Sequence, residues 1–88
     1  MPTISAFFGF VVQMYWGDHA PPHCHVFYQG FEVLIAIEAG EAVAGDLPPG
    51  AMRVIRGWVV RNRATLFANW ERGRLLEPFE AIPGADVE

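Results

Sequence analysis

The sequence lacks lysine altogether, and no arginine occurs among its first fifty residues. Its positive charge comes from six arginines after residue 50, whereas five of its ten acidic residues lie among the first fifty residues. The net charge of −4 at pH 7 argues against a general attraction to nucleic acid. We therefore expect an acidic half and an arginine-bearing half, and this polarity favours a polar partner.

Cysteine and long apolar runs are also scarce. The single cysteine cannot form a disulfide within the chain, which fits a reducing compartment. No apolar run approaches the ~20 residues that span a bilayer, and neither a basic leader before an apolar run nor a lipidation motif occurs. We expect a cytoplasmic protein with no membrane partner.

The length of 88 residues leaves room for one domain, which we place at residues 1–83, with a loose tail at residues 84–88. Residues 1–16 are apolar on both prospective faces of a sheet, whereas the C-terminal helical segment can cover only one face. We therefore expect a homo-oligomer or a protein partner over the second face. By strand parity the candidates for that face are Phe8, Phe10, Val12, Tyr28 and Leu34.

The first half of the chain predicts strands rather than helices. Residues 1–16 are rich in β-branched and aromatic side chains, and Gly9 marks a bulge or a bend between a short first strand and a longer second one. Residues 31–38 alternate in polarity, as a half-buried strand does, and the Gln29-Gly30 pair before them favours a tight hairpin. The other predicted strands are residues 23–29 and 41–44. Because short turns join these strands, a meander of four or five antiparallel strands is the simplest topology.

The spacing of the apolar residues changes after the segment 45–50, which is rich in glycine and proline. From Ala51 onward apolar residues recur at helical spacing, which predicts either one bent helix to about Leu76 or two helices that meet near Asn62. The side chains expected to point inward are Ile55, Trp58, Val59, Leu66 and Trp70. The predicted fold class is α+β: an antiparallel β-meander followed by one or two C-terminal helices packed on one face.

All three histidines and the only cysteine fall within one short stretch. If His23 and His25 lie on a strand, their rings project to one side and Cys24 projects to the other, as a small apolar filler rather than a nucleophile. Two prolines restrict the loop that brings Asp18 and His19 toward them.

The histidine stretch has two interpretations. Divalent transition ions bind imidazole nitrogen and carboxylate oxygen, so the stretch predicts metal ligands and catalytic candidates of a metal-dependent hydrolase or ribonuclease. These candidates are Asp18, His19, His23 and His25. In the other interpretation the same groups only hydrogen-bond the loop or stack against Tyr15 or Phe27. We expect no cofactor beyond a divalent transition metal, and whether the chain is an enzyme stays open.

The predicted helical segment carries four arginines away from its apolar positions. They are Arg53, Arg56, Arg61 and Arg63. Such a face binds nucleic acid or a protein partner, or is simply solvated.

Several motifs along the chain resemble one family. They are the opening Met1-Pro2-Thr3-Ile4-Ser5, the string Asp18-His19-x-Pro21-Pro22-His23-x-His25, and the segment Asn69-Trp70-Glu71. They are similar to those of small bacterial proteins classed as a domain of unknown function. Family members commonly have phenylalanine where this chain has Cys24, and His-Arg where it has Asn62-Arg63. The resemblance implies a compact bacterial protein, often encoded beside another small protein as in toxin–antitoxin or mobile-element modules, without an established activity.

The sequence thus favours a small intracellular binding module that acts through a protein partner. The alternatives are the metal-dependent hydrolase or ribonuclease and, third, nucleic-acid binding through the helical arginines.

Overall fold

The computed structural model describes residues 2–86, which form a five-stranded sheet followed by two helices. The strands are β1 (Thr3–Phe7), β2 (Phe10–Gln13), β3 (His23–Tyr28), β4 (Phe31–Ala36) and β5 (Ala42–Gly45). The helices are α1 (Pro49–Arg61) and α2 (Arg63–Arg74). All neighbouring strands pair antiparallel in the order of the chain. The predicted α+β fold is confirmed, with five strands and two helices.

Two-residue turns join the strands of the first and third hairpins. The turn residues have positive φ angles, 49° and 83° at Phe8 and Gly9 and 47° and 82° at Gln29 and Gly30. Positive φ at both central positions is the geometry that matches the twist of antiparallel strands. The predicted turn at Gln29-Gly30 is confirmed. Gly9 lies between two strands, as the predicted bend does, but the bend is a two-residue hairpin turn and the second strand is not the longer one.

The core lies between the helices and one face of the sheet. Val26 on β3 and both Val33 and Ile35 on β4 are fully buried, so β4 alternates as its sequence predicts. The helices contribute Ile55, Trp58, Val59 and Leu66, all buried. Trp70 is only partly buried and packs against this core.

The prediction for the second face of the sheet was wrong at three of its five residues. Phe10 and Val12 are buried in the core beneath the helices, and Tyr28 packs against that core with its ring stacked on Phe10 at 4.5 Å. The hairpin explains the difference, because its two-residue turn pairs Phe10 with the buried last residue of β1. Leu34 lies on the opposite face and is half-buried, and Phe8 is 62% exposed in the turn.

Asn62 separates the two helices. Its backbone N–H donates to the carbonyls of Trp58 and Val59, and its side-chain Nδ2 donates to the Trp58 carbonyl at 2.9 Å. These bonds satisfy carbonyls at the end of α1 that have no partner within the helix. Of the two arrangements that the sequence allowed, the chain therefore adopts two helices.

The segment after α2 returns to the sheet. The Ile82 N–H donates to the carbonyl of Ile4 at 2.8 Å, and Ile82 is buried. Gly84 is half-buried, while residues 87 and 88 of the predicted tail lie outside the described residues. Within residues 2–86, neither helix has the length and apolarity that crossing a bilayer requires.

Candidate functional site

Strand β3 separates its three consecutive chemical groups onto two faces of the sheet. The rings of His23 and His25 lie side by side on the face away from the core, with centroids 5.1 Å apart. Cys24 between them is fully buried on the core face. Burial raises the pKa of the Cys24 thiol to about 12, so it stays protonated at neutral pH and is no nucleophile.

The loop before β3 brings one carboxylate to both rings. Asp18 Oδ1 accepts a hydrogen bond from the backbone N–H of His19 at 2.9 Å, which fixes the carboxylate. Its other oxygen, Oδ2, lies 3.0 Å from His23 Nε2 and 3.1 Å from His25 Nε2. The Gly17 N–H anchors this loop by donating to the carbonyl of Gly73 on α2 at 3.1 Å.

The second ring nitrogen of His23 determines what its first nitrogen can do. His23 Nδ1 lies 2.8 Å from the carbonyl oxygen of Pro21, and a carbonyl only accepts hydrogen bonds. Nδ1 therefore carries a proton, and in the neutral ring Nε2 has a free lone pair. That lone pair faces the Asp18 carboxylate, so a cation, either a second proton or a metal ion, is needed between them.

The second ring nitrogen of His25 is buried. Within the described chain His25 Nδ1 has no hydrogen-bond partner, and its nearest ionic group is the Glu32 carboxylate at 3.8 Å. The ring of Tyr15 contacts the His25 ring with centroids 4.4 Å apart, but edge-on rather than stacked.

The charges around the rings favour an ionised carboxylate and a neutral phenol. Burial alone raises the pKa of Asp18, but the hydrogen bond from His25, the His19 amide and the charge of the two rings outweigh it and lower this pKa. Burial, and then the negative charges of Glu32 and Asp18, raise the pKa of Tyr15. The Tyr15 hydroxyl stays protonated and donates to a glutamine side chain on β2 at 2.9 Å.

A cavity of about 250 Å³ opens beside this cluster. Its walls are Tyr15, Gly17, Asp18, Ala20, Trp70 and Arg74. The Trp70 ring lies 5.3 Å from that of His23, so α2 supplies a wall of the site. Sequence reasoning assigned Trp70 to the core and missed Arg74, because no local pattern shows that α2 reaches the loop before β3. It also missed Glu32, although the register of the β3–β4 hairpin places this residue on the same face as His25.

The structure brings together three of the four predicted metal ligands. One nitrogen or oxygen atom from each of Asp18, His23 and His25 lies within 4.8 Å of the others. His19 is not in this group, because its side chain is exposed and only its backbone N–H contacts Asp18.

The four predicted arginines do not form one free surface. Arg53 and Arg61 are exposed on α1. Arg56 donates to the carbonyl of Gly40 at 2.8 Å and lies 3.7 Å from a glutamate of the same turn. Arg63 donates to a carbonyl just after β4 at 3.3 Å. Two of the four guanidinium groups are therefore engaged within the chain.

Comparison with known proteins identifies a family without assigning an activity. No curated protein and no solved structure shows significant similarity to the chain. A family model described as a domain of unknown function, DUF4160, matches residues 9–71. The match runs from the first hairpin turn into α2 and includes the whole Asp18, His23 and His25 cluster. Since it covers well over half of the sequence, the chain belongs to the DUF4160 family.

Proposed function

We propose that Asp18, His23 and His25 bind one divalent transition-metal ion and that this metal centre is hydrolytic. The observation that carries the proposal is the convergence of Asp18 Oδ2 on the Nε2 atoms of both rings, at 3.0 and 3.1 Å. Ligand atoms bonded at about 2.1 Å in a tetrahedron lie about 3.4 Å from one another, so a small movement of these side chains accommodates an ion.

The outer nitrogens of both rings support the same assignment. Histidines that bind metals generally donate their other ring N–H to a carbonyl or a carboxylate, which fixes the ring. His23 has this arrangement with the Pro21 carbonyl. For His25, binding through Nε2 places the proton on Nδ1, directed toward Glu32 at 3.8 Å. This provides a role for a buried nitrogen that otherwise has no partner in the described chain.

Three protein ligands leave a tetrahedral ion with one position for water. Such an ion lowers the pKa of bound water and so generates a nucleophile at neutral pH. Two imidazoles and one carboxylate suit zinc, and also the iron(II) of non-haem oxygenases. We name zinc as the first ion to test because hydrolysis needs no co-substrate other than water.

Calorimetry tests the metal site directly. EDTA-treated protein titrated with zinc chloride at pH 7.5 should bind one ion per chain, and His25→Gln or Asp18→Asn should weaken binding at least tenfold. His19→Gln is the matched control, because it removes an imidazole from the same loop but not from the cluster. Absence of binding to the wild type, or equal loss in His19→Gln, would contradict the proposal.

A second candidate is the binding module that the sequence favoured. Strand β5 forms one edge of the sheet, and all four of its residues are exposed and uncharged. Natural edge strands usually carry a charge or a proline that prevents pairing. We propose that an extended segment of a protein partner adds to this edge, and the gene-pair context implied by the family resemblance would supply that partner.

Sedimentation velocity of the isolated chain and of Val43→Lys tests the edge. If β5 binds a protein partner, both isolated chains should sediment as monomers. The wild type should then form a complex with the neighbouring gene product, and Val43→Lys should not. A dimer that Val43→Lys dissociates would instead assign the edge to a second copy. If the wild type and Val43→Lys form the complex equally well, β5 is not the binding edge.

A further inference from the structure

We propose that the cavity beside the metal centre binds a small phosphate ester that carries one aromatic ring. The proposal rests on the metal site proposed above and names the class of its substrate. Its basis is the placement of two aromatic side chains, one arginine and one metal ligand around a single space: Tyr15, Trp70, Arg74 and Asp18.

Two aromatic walls meet the two ligand histidines. The ring centroids of Tyr15 and His25 lie 4.4 Å apart, and those of Trp70 and His23 lie 5.3 Å apart. Both aromatic residues also line the cavity, so a group that enters it lies against them and close to the metal ligands. Aromatic side chains stabilise a flat aromatic group by stacking.

The charge of the loaded site favours an anion. A divalent ion held by one carboxylate and two neutral imidazoles leaves a net charge of about +1, and Arg74 adds a second positive charge at the wall. The Glu32 carboxylate offsets part of this charge, but it lies against Nδ1 of His25 rather than at the cavity wall, and it is more than half exposed to water. Arg74 donates from Nε and Nη2 to the two carboxylate oxygens of Glu71, so a phosphate would have to replace this carboxylate on the guanidinium. Both side chains are more than half exposed, so water weakens the existing pair. A guanidinium matches two phosphate oxygens at once, which makes phosphate the anion that the wall fits best.

The size of the cavity limits the ligand. Pockets for drug-sized molecules range from about 300 to 1,000 Å³, whereas this one holds about 250 Å³. It accommodates one ring and its phosphate, with the rest of any longer molecule outside. In the hydrolysis that follows, the oxygen of a water bonds to phosphorus, the ester P–O bond breaks, and the leaving oxygen takes the water proton. The products are an alcohol and inorganic phosphate.

Calorimetric titration of the zinc-loaded protein with phenyl phosphate, inorganic phosphate and phenol tests both halves of the ligand. We expect phenyl phosphate to bind at least tenfold more tightly than inorganic phosphate, and phenol to show no measurable binding. Arg74→Gln should weaken phenyl phosphate binding at least tenfold and leave zinc affinity within twofold. Trp70→Leu should remove most of the difference between phenyl phosphate and inorganic phosphate.

Two control variants separate the site from general charge. Arg53→Gln makes the same change of charge on α1 and should leave binding unchanged, and Glu71→Gln should maintain or increase it because Arg74 is released. Equal loss in Arg53→Gln and Arg74→Gln, or phenyl phosphate binding no tighter than inorganic phosphate, would overturn the substrate class alone. Failure of the wild type to bind zinc would overturn the metal site and this inference together.

Discussion

The two faces of the sheet contain the same strands but differ in chemistry. The face toward the helices is apolar and sealed, with Val12, Val26 and Val33 fully buried. The opposite face carries His25 and, at its end, the carboxylate of Asp18, and both are only partly buried. The helices therefore seal one face of the sheet, and the candidate ligands lie on the face that the helices do not cover.

Cys24 illustrates the difference at the scale of one residue. It lies between His23 and His25 in the chain, yet its thiol has a pKa of about 12 because it is on the buried face. The neighbouring rings lie within reach of a cavity and of a carboxylate. The same strand therefore holds an inert group and two potential ligands, and alternation alone separates them.

The largest expected effect is a loss of stability, and it should differ between two neighbouring positions on β4. Ile35→Ala should lower the free energy of unfolding by about 3 kcal/mol, since it leaves a cavity in a fully buried site. Leu34→Ala on the opposite, half-buried face should cost about 1 kcal/mol. Urea denaturation followed by circular dichroism measures both. Equal losses would show that a partner or a second copy covers the second face.

The next effect concerns pH. The folded-state pKa of Cys24, about 12, lies above the ordinary thiol value of about 8.5, so the unfolded chain releases this proton first. The stabilisation is complete below pH 8.5 and is lost as pH rises toward 12, which amounts to about 2 kcal/mol by pH 10. Urea denaturation of EDTA-treated wild type between pH 7.5 and 10 should show this slope.

Cys24→Ala is the control for the alkaline slope. It removes the titrating thiol, so its stability should fall with pH less steeply than that of the wild type by about 1.4 kcal/mol per pH unit above 8.5. Identical slopes in the two proteins would show that the thiol is accessible to water in the folded state.

The third prediction concerns zinc affinity at the face of the sheet that carries His25. Glu32→Gln should weaken zinc binding about tenfold, because it removes the carboxylate nearest to His25 Nδ1 while all three direct ligands and the fold stay intact. Glu38→Gln, an exposed glutamate beyond the end of β4, is the control of equal charge and should not change affinity. If the two variants bind zinc equally well, Glu32 does not orient His25.

Most of the fold could be predicted from local patterns, because alternation in β4 and helical spacing after residue 51 both reflect burial on one side. The shared side of His23 and His25 also followed from strand geometry. The position of Trp70 at the wall of the cavity could not be predicted, since it depends on the long-range contact of α2 with the loop before β3. The faces of β2 were assigned wrongly because the sequence does not show that Phe8-Gly9 is a two-residue turn.

The smallest effect lies in that turn, which determines which residues of β2 face the helices. Phe8 has a φ angle of 49°, a left-handed conformation that phenylalanine rarely adopts and asparagine tolerates. Its side chain is 62% exposed, so little burial is lost on replacement. Phe8→Asn should therefore stabilise the fold by about 0.5–1 kcal/mol, measured as an increase in the urea midpoint. Gln29→Asn at the equivalent position of the third hairpin is the control, because it makes the same change to the turn without removing an aromatic ring. If Gln29→Asn stabilises and Phe8→Asn destabilises, the edge-on contact of the Phe8 ring with Phe7, whose centroids lie 6.0 Å apart, outweighs the strain of the left-handed backbone.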